Sequence, residues 1–292
     1  MEVWSGGEIA RVVRVARRHT DGVTFVDQLR GGPGRPVVPR ISAIIPTLNE
    51  AGNLPHVLTR IPEMVDEVVL VDGHSIDDTV AVAQMLRPDI RVVLQNASGK
   101  GNALACGFAA ATGDIIVMLD ADGSTDPAEI PRFVGALLDG GDYAKGSRYL
   151  DGGGSLDLTR LRSFGNRGLT AIVNLLFRTP YTDLTYGYNA FWTDCLKHLQ
   201  VNRGGFEGEV LIHVRAGRAK LKIREVPSME HERIFGESKL NAMRDGVRIL
   251  RMILRERMAI RARVKVQSDA VQLPFVELKS SGIELDAVTA DG

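Results

Sequence analysis

Two carboxylates, Asp120 and Asp122, directly follow the apolar run 115–119, whose pattern is typical of a buried strand. Because residues two apart in a strand point the same way, both side chains can face one hard cation. Mg²⁺ and Mn²⁺ prefer such oxygen ligands and leave positions for water and for the phosphate oxygens of a substrate. The alternative is a solvated Asp-rich turn that closes a strand, so the neighbouring motifs must decide.

Polar motifs also follow the other apolar runs of this region. They are Pro-Thr-Leu-Asn-Glu at 46–50, Val-Asp-Gly at 71–73 and Gly-Lys-Gly-Asn at 99–102. Each motif taken singly is an ordinary turn between a strand and a helix. The carboxyl ends of parallel strands share one edge of a sheet, where open α/β sheets bind ligands, so we expect these motifs to converge with the two carboxylates.

Apolar strands and helical segments alternate from residue 41 onward, which predicts an α/β fold with a mostly parallel central sheet and helices on both faces. We expect strands at 41–45, 67–71, 90–94 and 115–119, and helices near 50–61, 77–86, 100–111 and 127–138. Beyond residue 150 we expect helices near 165–177 and 207–216 and strands near 187–192 and 221–226. Ser75 to Asp78 and Asp126-Pro127 carry the residue types of helix starts.

Composition divides the chain into four segments. Residues 1–39 are an extension that ends in a Gly/Pro-rich linker, and 40–240 form one domain with a regular half, 40–150, and a looser half, 151–240. Residues 241–265 predict a basic amphipathic helix. The tail at 266–292 is acidic and aperiodic, and we expect it to be disordered.

The composition of the chain excludes several classes of protein. Lys plus Arg and Asp plus Glu both number 36, so no overall positive charge is available to attract nucleic acid. Cys106 and Cys195 form no disulfide or zinc pattern, which favours a reducing, cytoplasmic compartment. No run of ~18 apolar residues and no signal peptide is present, so we do not expect the chain to cross a membrane.

Taken as a set, the motifs resemble those of the family 2 glycosyltransferases of the GT-A fold, a nucleotide-diphosphosugar transferase fold. In that family Pro-Thr-x-Asn-Glu, Val-Asp-Gly, Gly-Lys-Gly-x-Ala and Asp-Ala-Asp recur in this order, and the resemblance covers about 41–240. The second half is similar to polyprenyl-phosphate glycosyltransferases of the dolichyl-phosphate mannose or glucose type. The matching segments are 145–149, 183–191, 205–209 and 233–239.

This resemblance implies a metal-dependent, inverting enzyme that moves a hexose from a GDP- or UDP-sugar to a polyprenyl phosphate. It assigns the nucleotide sugar to residues 40–150 and the acceptor to 151–240. The donor-binding residues that it implies are Pro46, Thr47, Glu50, Asp72, Lys100, Asp120, Ala121, Arg233 and Lys239, with Asp120 and Asp122 on Mg²⁺ or Mn²⁺ and Asp72 on the base. Arg148, Arg233 and Lys239 would face phosphates.

The catalytic candidates are Asp122, Arg148, Asp183 and Glu209. Negative charge grows on the departing diphosphate, which a metal and a forked Arg side chain can stabilise. A phosphate acceptor arrives ionised and needs no general base, whereas a hydroxyl acceptor needs one, for which Glu209 and Asp183 are candidates and Glu207 is a weaker one. The alternative for these acids is that they only stabilise the helix dipole at a helix N-terminus. The alternative for Arg148 is that it belongs to a surface ion pair.

Two alternatives remain for the function. One is the same donor chemistry with a soluble hydroxyl acceptor, because the segment 186–189 departs from the family pattern and Ser124 stands where many relatives have Gln. The other is a non-catalytic nucleotide-binding module or a nucleotidyltransferase, although 46–50 is not the Gly-rich loop of the latter.

The segment 241–265 holds seven Arg and one Lys against Asp245 and Glu256. A basic amphipathic helix of this kind can attach a protein to the inner face of a membrane that carries anionic lipid. The alternative is that its apolar stripe packs on the core and its Arg stripe is solvated. Oligomeric state is left open.

Overall fold

The computed structural model describes residues 35, 38–200, 207–236, 242–261 and 276–278. Its strands are β1 (Ile41–Thr47), β2 (Glu67–Asp72), β3 (Arg91–Leu94), β4 (Ile115–Met118), β5 (Tyr143–Ser147), β6 (Gly154–Ser155), β7 (Asn189–Trp192), β8 (Ile223–Pro227), β9 (Met229–Glu230) and β10 (Val276–Leu278). Eight of them form one sheet in the order β10-β3-β2-β1-β4-β7-β5-β8. The pairs β1–β2, β1–β4, β2–β3 and β5–β8 are parallel, so the expected mostly parallel sheet is confirmed.

Helices flank the sheet. They are α1 (Leu54–Leu58), α2 (Thr79–Leu86), α3 (Lys100–Ala110), α4 (Ile130–Leu138), α5 (Arg160–Phe177), α6 (Leu196–Leu199), α7 (Glu207–Arg218) and α8 (Ala242–Arg261), with 3₁₀ turns at Pro127–Glu129 and Thr193–Cys195. Each helix expected from the sequence is present. Helix α1 is shorter than expected because the residues before it form a turn on the Glu50 carbonyl, and α5 begins early because Thr159 caps it by accepting from the Arg162 N–H.

The helix starts differ in how they are capped. Asp126 accepts a hydrogen bond from the Ala128 N–H at 2.9 Å, as its place before Pro127 predicts. Asp78 occupies the N-cap of α2 but makes no side-chain capping bond. Asp77 accepts from the Thr79 N–H instead, at 3.1 Å.

The central strands β1, β2 and β4 are covered on both faces, which explains their nearly continuous Ile, Val and Leu runs. Helix α3 lies directly on β1 and β2. A Cβ on Gly107 would collide with Ile44 and would lie 2.9 Å from Val71 Cγ2, so only glycine permits this approach. Close packing here places the start of α3, with Lys100, at the carboxyl ends of the strands.

Strand β7 departs from the parallel pattern. It runs antiparallel to both neighbours, β4 and β5, and so joins the regular first half of the sheet to the second half. A second apolar cluster lies outside the sheet, where α5, α7 and α8 meet through Val173, Val214, Ile249 and Ile253. The basic helix is therefore fixed to the domain by one side.

The tail differs from expectation at three residues. Strand β10 (Val276–Leu278) pairs antiparallel with β3 and so satisfies the backbone groups of β3 that would otherwise form the edge of the sheet. The expectations for 1–34 and for the rest of 266–292 concern residues outside those described. Within the described ranges, no helix is both long and apolar enough to cross a bilayer.

Candidate active site

The carboxyl ends of β1, β2 and β4 meet at one edge of the sheet, as the motif spacing predicts. Thr47 and Asp72 lie side by side in the register of β1 and β2, and both are buried. Pro46 is one residue earlier in β1, opposite Val71. The Thr47 hydroxyl donates to the Val71 carbonyl at 3.3 Å and is thus committed to the backbone.

Asp72 carries a buried acceptor that no described group satisfies. Its Oδ2 accepts from the Ser75 N–H at 3.0 Å, whereas Oδ1 is buried without a hydrogen-bond partner. A buried carboxylate oxygen without a donor is costly, typically by 1–3 kcal/mol. The geometry therefore leaves Asp72 ready to accept a hydrogen bond from a ligand.

The Asp-x-Asp motif follows β4 after one residue, Leu119, and Ala121 is buried between its two carboxylates. Asp122 Oδ1 accepts from both the N–H and the hydroxyl of Ser124, at 3.0 and 2.6 Å. Ser124 thus orients the Asp122 carboxylate. Gly123 has φ of 79°, a conformation that favours glycine and that turns the chain at this point.

Each carboxylate of the motif faces a cation. Lys100 Nζ lies 2.6 Å from Asp120 Oδ1 and 3.0 Å from Glu209 Oε2. Burial disfavours the charge of Lys100, but the two carboxylates outweigh burial and raise the pKa of this amine. Arg233 Nη2 lies 3.3 Å from Asp122 Oδ2, and the same guanidinium binds Glu50 at 3.0 Å.

The segment after β9 lies across the motif. The His231 N–H donates to the Ser124 carbonyl, and the Ile234 N–H donates to that of Asp122. Asn53, which no sequence motif indicated, exchanges two hydrogen bonds with the backbone of Phe235. Lys239 lies outside the described residues.

Arg148 and Asp183 form a buried pair rather than a surface one. Arg148 Nε and Nη2 donate to Asp183 Oδ2 and Oδ1 at 2.7 and 2.9 Å. Asn166 adds a hydrogen bond to Oδ1 at 2.8 Å. Burial alone would raise the pKa of Asp183, but the hydrogen bonds and charge of Arg148 hold it below the ordinary range. This saturated carboxylate orients Arg148 and is poorly suited to be a general base.

Glu209 is the carboxylate best placed to do chemistry. Its Oε2 pairs with Lys100, and its Oε1 is buried without a partner. Burial raises the pKa of Glu209, and the Lys100 charge opposes that effect. Glu207 lies at the first residue of α7, on the pattern of an acid at a helix N-terminus.

A basic cavity of about 510 Å³ opens beside Arg148. Its wall combines Arg side chains with the hydroxyl groups of neighbouring Tyr and Ser residues. The lining residues are Arg148, Tyr149, Ser155, Leu158, Arg160, Ser163, Phe164 and Arg167. Glu230 bridges Arg148 and Ser155 at the cavity wall, one residue before the segment that lies on Ser124. No motif in the sequence indicated this cavity, because Arg160 lies before the helix expected at 165–177 and only Arg167 lies within it.

Comparison with known proteins agrees with this geometry. The model of glycosyl transferase family 2 matches residues 42–199. The dolichol-phosphate mannosyltransferase of Pyrococcus furiosus is 32% identical over 210 residues, which are 69% of this chain and 59% of that protein, so the chain spans less than two thirds of that relative. The undecaprenyl-phosphate mannosyltransferase of Micrococcus luteus is 31% identical, and the match covers 69% of this chain and 88% of that protein.

A solved structure supports the same fold. Glucosyl-3-phosphoglycerate synthase from Mycobacterium tuberculosis, in complex with Mn²⁺, UDP and glucosyl-3-phosphoglycerate, matches with a TM-score of 0.63 at 22% identity. The match covers 89% of this chain and 86% of that one, which confirms the expected GT-A fold. Strand-end motifs, family model and relatives therefore agree that the chain belongs to glycosyl transferase family 2 and is a glycosyltransferase.

Proposed function

We propose that this glycosyltransferase moves a hexose from a GDP- or UDP-sugar to a polyprenyl phosphate, with Mg²⁺ or Mn²⁺ held at Asp120 and Asp122. The observation that carries the proposal is the meeting, at one sheet edge, of the unpartnered Asp72 oxygen with this carboxylate pair and its flanking cations. A nucleoside diphosphate sugar has matching groups: base N–H donors, a diphosphate and sugar hydroxyls. Residues 40–150 form the donor half in this proposal, and 151–240 form the acceptor half.

The side chains present fit a divalent cation shared with the donor. Among the described residues, no group of three or more His, Cys, Asp or Glu could hold a metal by itself. Mg²⁺ commonly takes only one or two carboxylates and fills its shell with water and phosphate oxygens, as a two-carboxylate site requires. When bound, the cation would neutralise charge on the departing diphosphate.

Lys100 and Arg233 supply fixed positive charge beside the carboxylates. Lys100 lies half-buried between Asp120 and Glu209, and Arg233 is held by Glu50 and Asp122. Cations that are already oriented stabilise charge as it develops, without reorganisation at the moment of reaction. In this proposal both bind donor phosphate oxygens.

The cavity beside Arg148 is the proposed site of the acceptor phosphate. Three Arg side chains and several hydroxyls line it, which are the donors that a phosphate group accepts from. Such an acceptor attacks as an anion, so no group has to remove a proton from it. Two relatives named for dolichol phosphate and undecaprenyl phosphate support this acceptor class.

The donor is tested by a thermal-shift and hydrolysis screen of UDP-glucose and GDP-mannose with Mn²⁺ and with Mg²⁺. A ligand that binds only the native state raises the melting temperature. We expect one of the two donors to respond and to require the cation. No response to either donor with either cation would contradict the proposal.

Asp72→Asn is expected to weaken binding of the responding nucleotide by about 10- to 100-fold, because an amide nitrogen would replace one acceptor oxygen of a charged group. Isothermal titration with the nucleoside diphosphate measures this change. Asp89→Asn is the control, since Asp89 is an exposed carboxylate that pairs with Arg87. Equal affinities of Asp72→Asn and wild type would exclude Asp72 from the base site.

A hydroxyl acceptor is the second candidate, favoured by the unpartnered Oε1 and raised pKa of Glu209. A general base works when ionised, so the rate would rise with pH through its pKa, and its loss would cost about 10²–10⁴ in rate. With a polyprenyl phosphate acceptor we expect Glu209→Gln to retain the acidic limb of the wild-type pH–rate profile. Loss of that limb would move the assignment to a hydroxyl acceptor.

Helix α8 is the proposed membrane contact. Its two acids are already paired: buried Asp245 with Arg244 and Arg248 of α8 itself, and Glu256 with Arg215 and Arg218 of α7. Met243, Val247, Leu254 and Met258 remain exposed, and so do Leu161, Phe164 and Leu175 on the adjacent α5. Exposed apolar side chains beside Arg residues are typical of a helix that lies in the headgroup region. The packing alternative applies to Ile249 and Ile253, which are buried.

We expect the protein to sediment with anionic liposomes at low salt and to be released at high salt. Arg251→Glu with Arg255→Glu should abolish binding, because both Arg side chains are exposed one helical turn apart. The matched control, Arg87→Glu with Lys197→Glu, makes the same charge change elsewhere. No binding to anionic vesicles at low salt would refute the membrane contact, and equal binding to neutral vesicles would refute its dependence on the Arg side chains.

A further inference from the structure

Lys145 is a buried lysine at the centre of β5, and its place in the sequence indicates no role for it. Its side chain is fully buried, and its Nζ donates to the carbonyls of Gly146 and Tyr186 at 2.9 and 2.7 Å. None of the described carboxylates is within ion-pair distance of this ammonium. Burial lowers the pKa of Lys145 to about 8. Burying a charge without an ion pair costs free energy, so a lysine at this position indicates a role that an apolar residue could not fill.

The Tyr186 carbonyl that Lys145 holds begins a turn that lies under Glu209. A Cβ on Gly187 would collide with Glu209 Oε1, so the carboxylate rests directly on this glycine. Asn189 fixes the same turn from the other side, because its Nδ2 donates to the Gly187 carbonyl at 2.8 Å. The turn therefore supports the Glu209 carboxylate from one side, while Lys100 holds its other oxygen.

The Glu209 carboxylate connects this turn to the catalytic edge. One oxygen binds Lys100, which binds Asp120, and the other is buried and unpartnered. An acceptor in this state is satisfied by a ligand that brings a hydrogen-bond donor. The sugar of the donor carries hydroxyl groups and is attached to the diphosphate assigned to Asp120 and Asp122.

We propose that Lys145 is a positioning residue that holds the Tyr186–Gly187 turn beneath Glu209 and thereby presents Glu209 Oε1 to a hydroxyl of the donor sugar. The identity of the hydroxyl donor rests on the proposed function, whereas the mechanical link from Lys145 to Glu209 does not. Lys145 then acts on the sugar and not on the nucleotide. Lysine suits this position because one ammonium can donate to two carbonyls at once.

The test compares nucleotide sugars with nucleotides. Lys145→Met keeps an unbranched apolar stem and removes the terminal ammonium with its donors, and Lys222→Met is the control at an exposed lysine. In titrations with Mn²⁺, we expect Lys145→Met to weaken binding of UDP-glucose or GDP-mannose about tenfold, as for one hydrogen bond to a charged group, and to leave UDP and GDP unchanged. Equal losses of affinity for the nucleotide sugars and for UDP and GDP would overturn the proposal.

A double mutant separates positioning from general damage. If Lys145 acts through Glu209, Lys145→Met should cost no further sugar affinity in a Glu209→Gln background. Fully additive losses would overturn the proposal. Gly187→Ala is an independent variant, because it displaces the Glu209 carboxylate without removing the buried charge of Lys145. We expect it, too, to weaken binding of the nucleotide sugars and to leave binding of UDP and GDP unchanged.

A structure of ligand-free Lys145→Met decides the link independently of any donor. We expect the Tyr186 carbonyl to rotate and Glu209 Oε1 to leave its place over Gly187. An unchanged turn and carboxylate would overturn the positioning role even if the wild type binds a donor. If wild type binds none of the four nucleotides, the proposed function fails, and this structure still decides the role of Lys145. Should Lys145→Met not fold, Gly187→Ala still tests the contact between the turn and Glu209, and unchanged affinity of Gly187→Ala for the nucleotide sugars would overturn the proposal.

Discussion

Replacing either Asp120 or Asp122 with asparagine is expected to lower metal-dependent donor turnover by about 10²–10⁴-fold while the protein stays folded. A neutral amide is a far poorer ligand for a hard dication than a carboxylate is. A metal ion contributes several kcal/mol of charge stabilisation, and each 1.36 kcal/mol is a factor of ten in rate. Initial rates of UDP-glucose and GDP-mannose hydrolysis across a Mn²⁺ titration measure the loss.

Asp114 offers a matched control because it precedes β4, whereas Asp120 follows it. Asp114 accepts from the Arg40 N–H at 2.8 Å, a bond that an asparagine oxygen can also accept. Asp114→Asn should therefore keep wild-type activity. In the two site variants, residual nucleotide binding should no longer respond to Mn²⁺. Full activity of both variants at saturating metal would remove the assigned metal site.

The strand-end motifs could be predicted from the sequence because local pattern and topology act together there. Hydrophobic periodicity locates β1, β2 and β4, and parallel pairing brings their carboxyl ends to one edge. Asp72 and the Asp-x-Asp motif needed no tertiary information beyond that rule. The same rule places Lys100, since α3 begins at this edge.

What the sequence could not provide is which polar groups are paired with one another. Asp183 and Glu209 both qualify as general bases by residue type, but tertiary contacts separate them. Arg148 and Asn166 saturate Asp183, whereas Glu209 keeps one oxygen unpartnered. These contacts join residues many positions apart in the chain, and no local periodicity encodes them.

The second half of the domain was harder to predict because its pairings are less regular. Strand β7 runs against its neighbours, and the two short strands β6 and β9 form a separate parallel pair. Burial of Lys145 in β5 also opposes its residue type, because lysine is almost never fully buried. Such exceptions to local rules are concentrated beside the site.

Removing the Asp183 carboxylate is expected to be the most destabilising single change at the site. Asp183→Asn leaves Arg148 buried with Glu230 as its remaining described ion-pair partner. Breaking a buried ion pair by removing one partner typically costs about 3–5 kcal/mol. A loss of that size lowers the melting temperature by about 6–20 °C in domains of this size class, at about 2–4 °C per kcal/mol. Chemical denaturation with near-UV detection measures the loss of free energy of unfolding.

The exposed pair of Asp157 and Arg162 is the matched control for this prediction. Its atoms are 2.8 Å apart, close to the 2.7 Å of the Asp183 pair, but Asp157 is largely exposed. Exposed pairs contribute about 0–1 kcal/mol, so Asp157→Asn should hardly change the free energy of unfolding. Similar small losses for both variants would show that burial does not make the Asp183 pair essential.

The pH dependence of stability gives an independent check on Asp183. Its folded-state pKa is below the ordinary value because Arg148 favours the ionised form. The unfolded chain therefore binds the proton first as pH falls, and the stability from this group, complete above about pH 4–5, is lost as pH drops through the folded pKa. The difference in free energy of unfolding between wild type and Asp183→Asn should be constant near neutral pH and should become smaller in acid. A free-energy difference that stays constant down to pH 2 would mean that folding does not lower the pKa of Asp183, and the charge of the pair with Arg148 would then add nothing to stability.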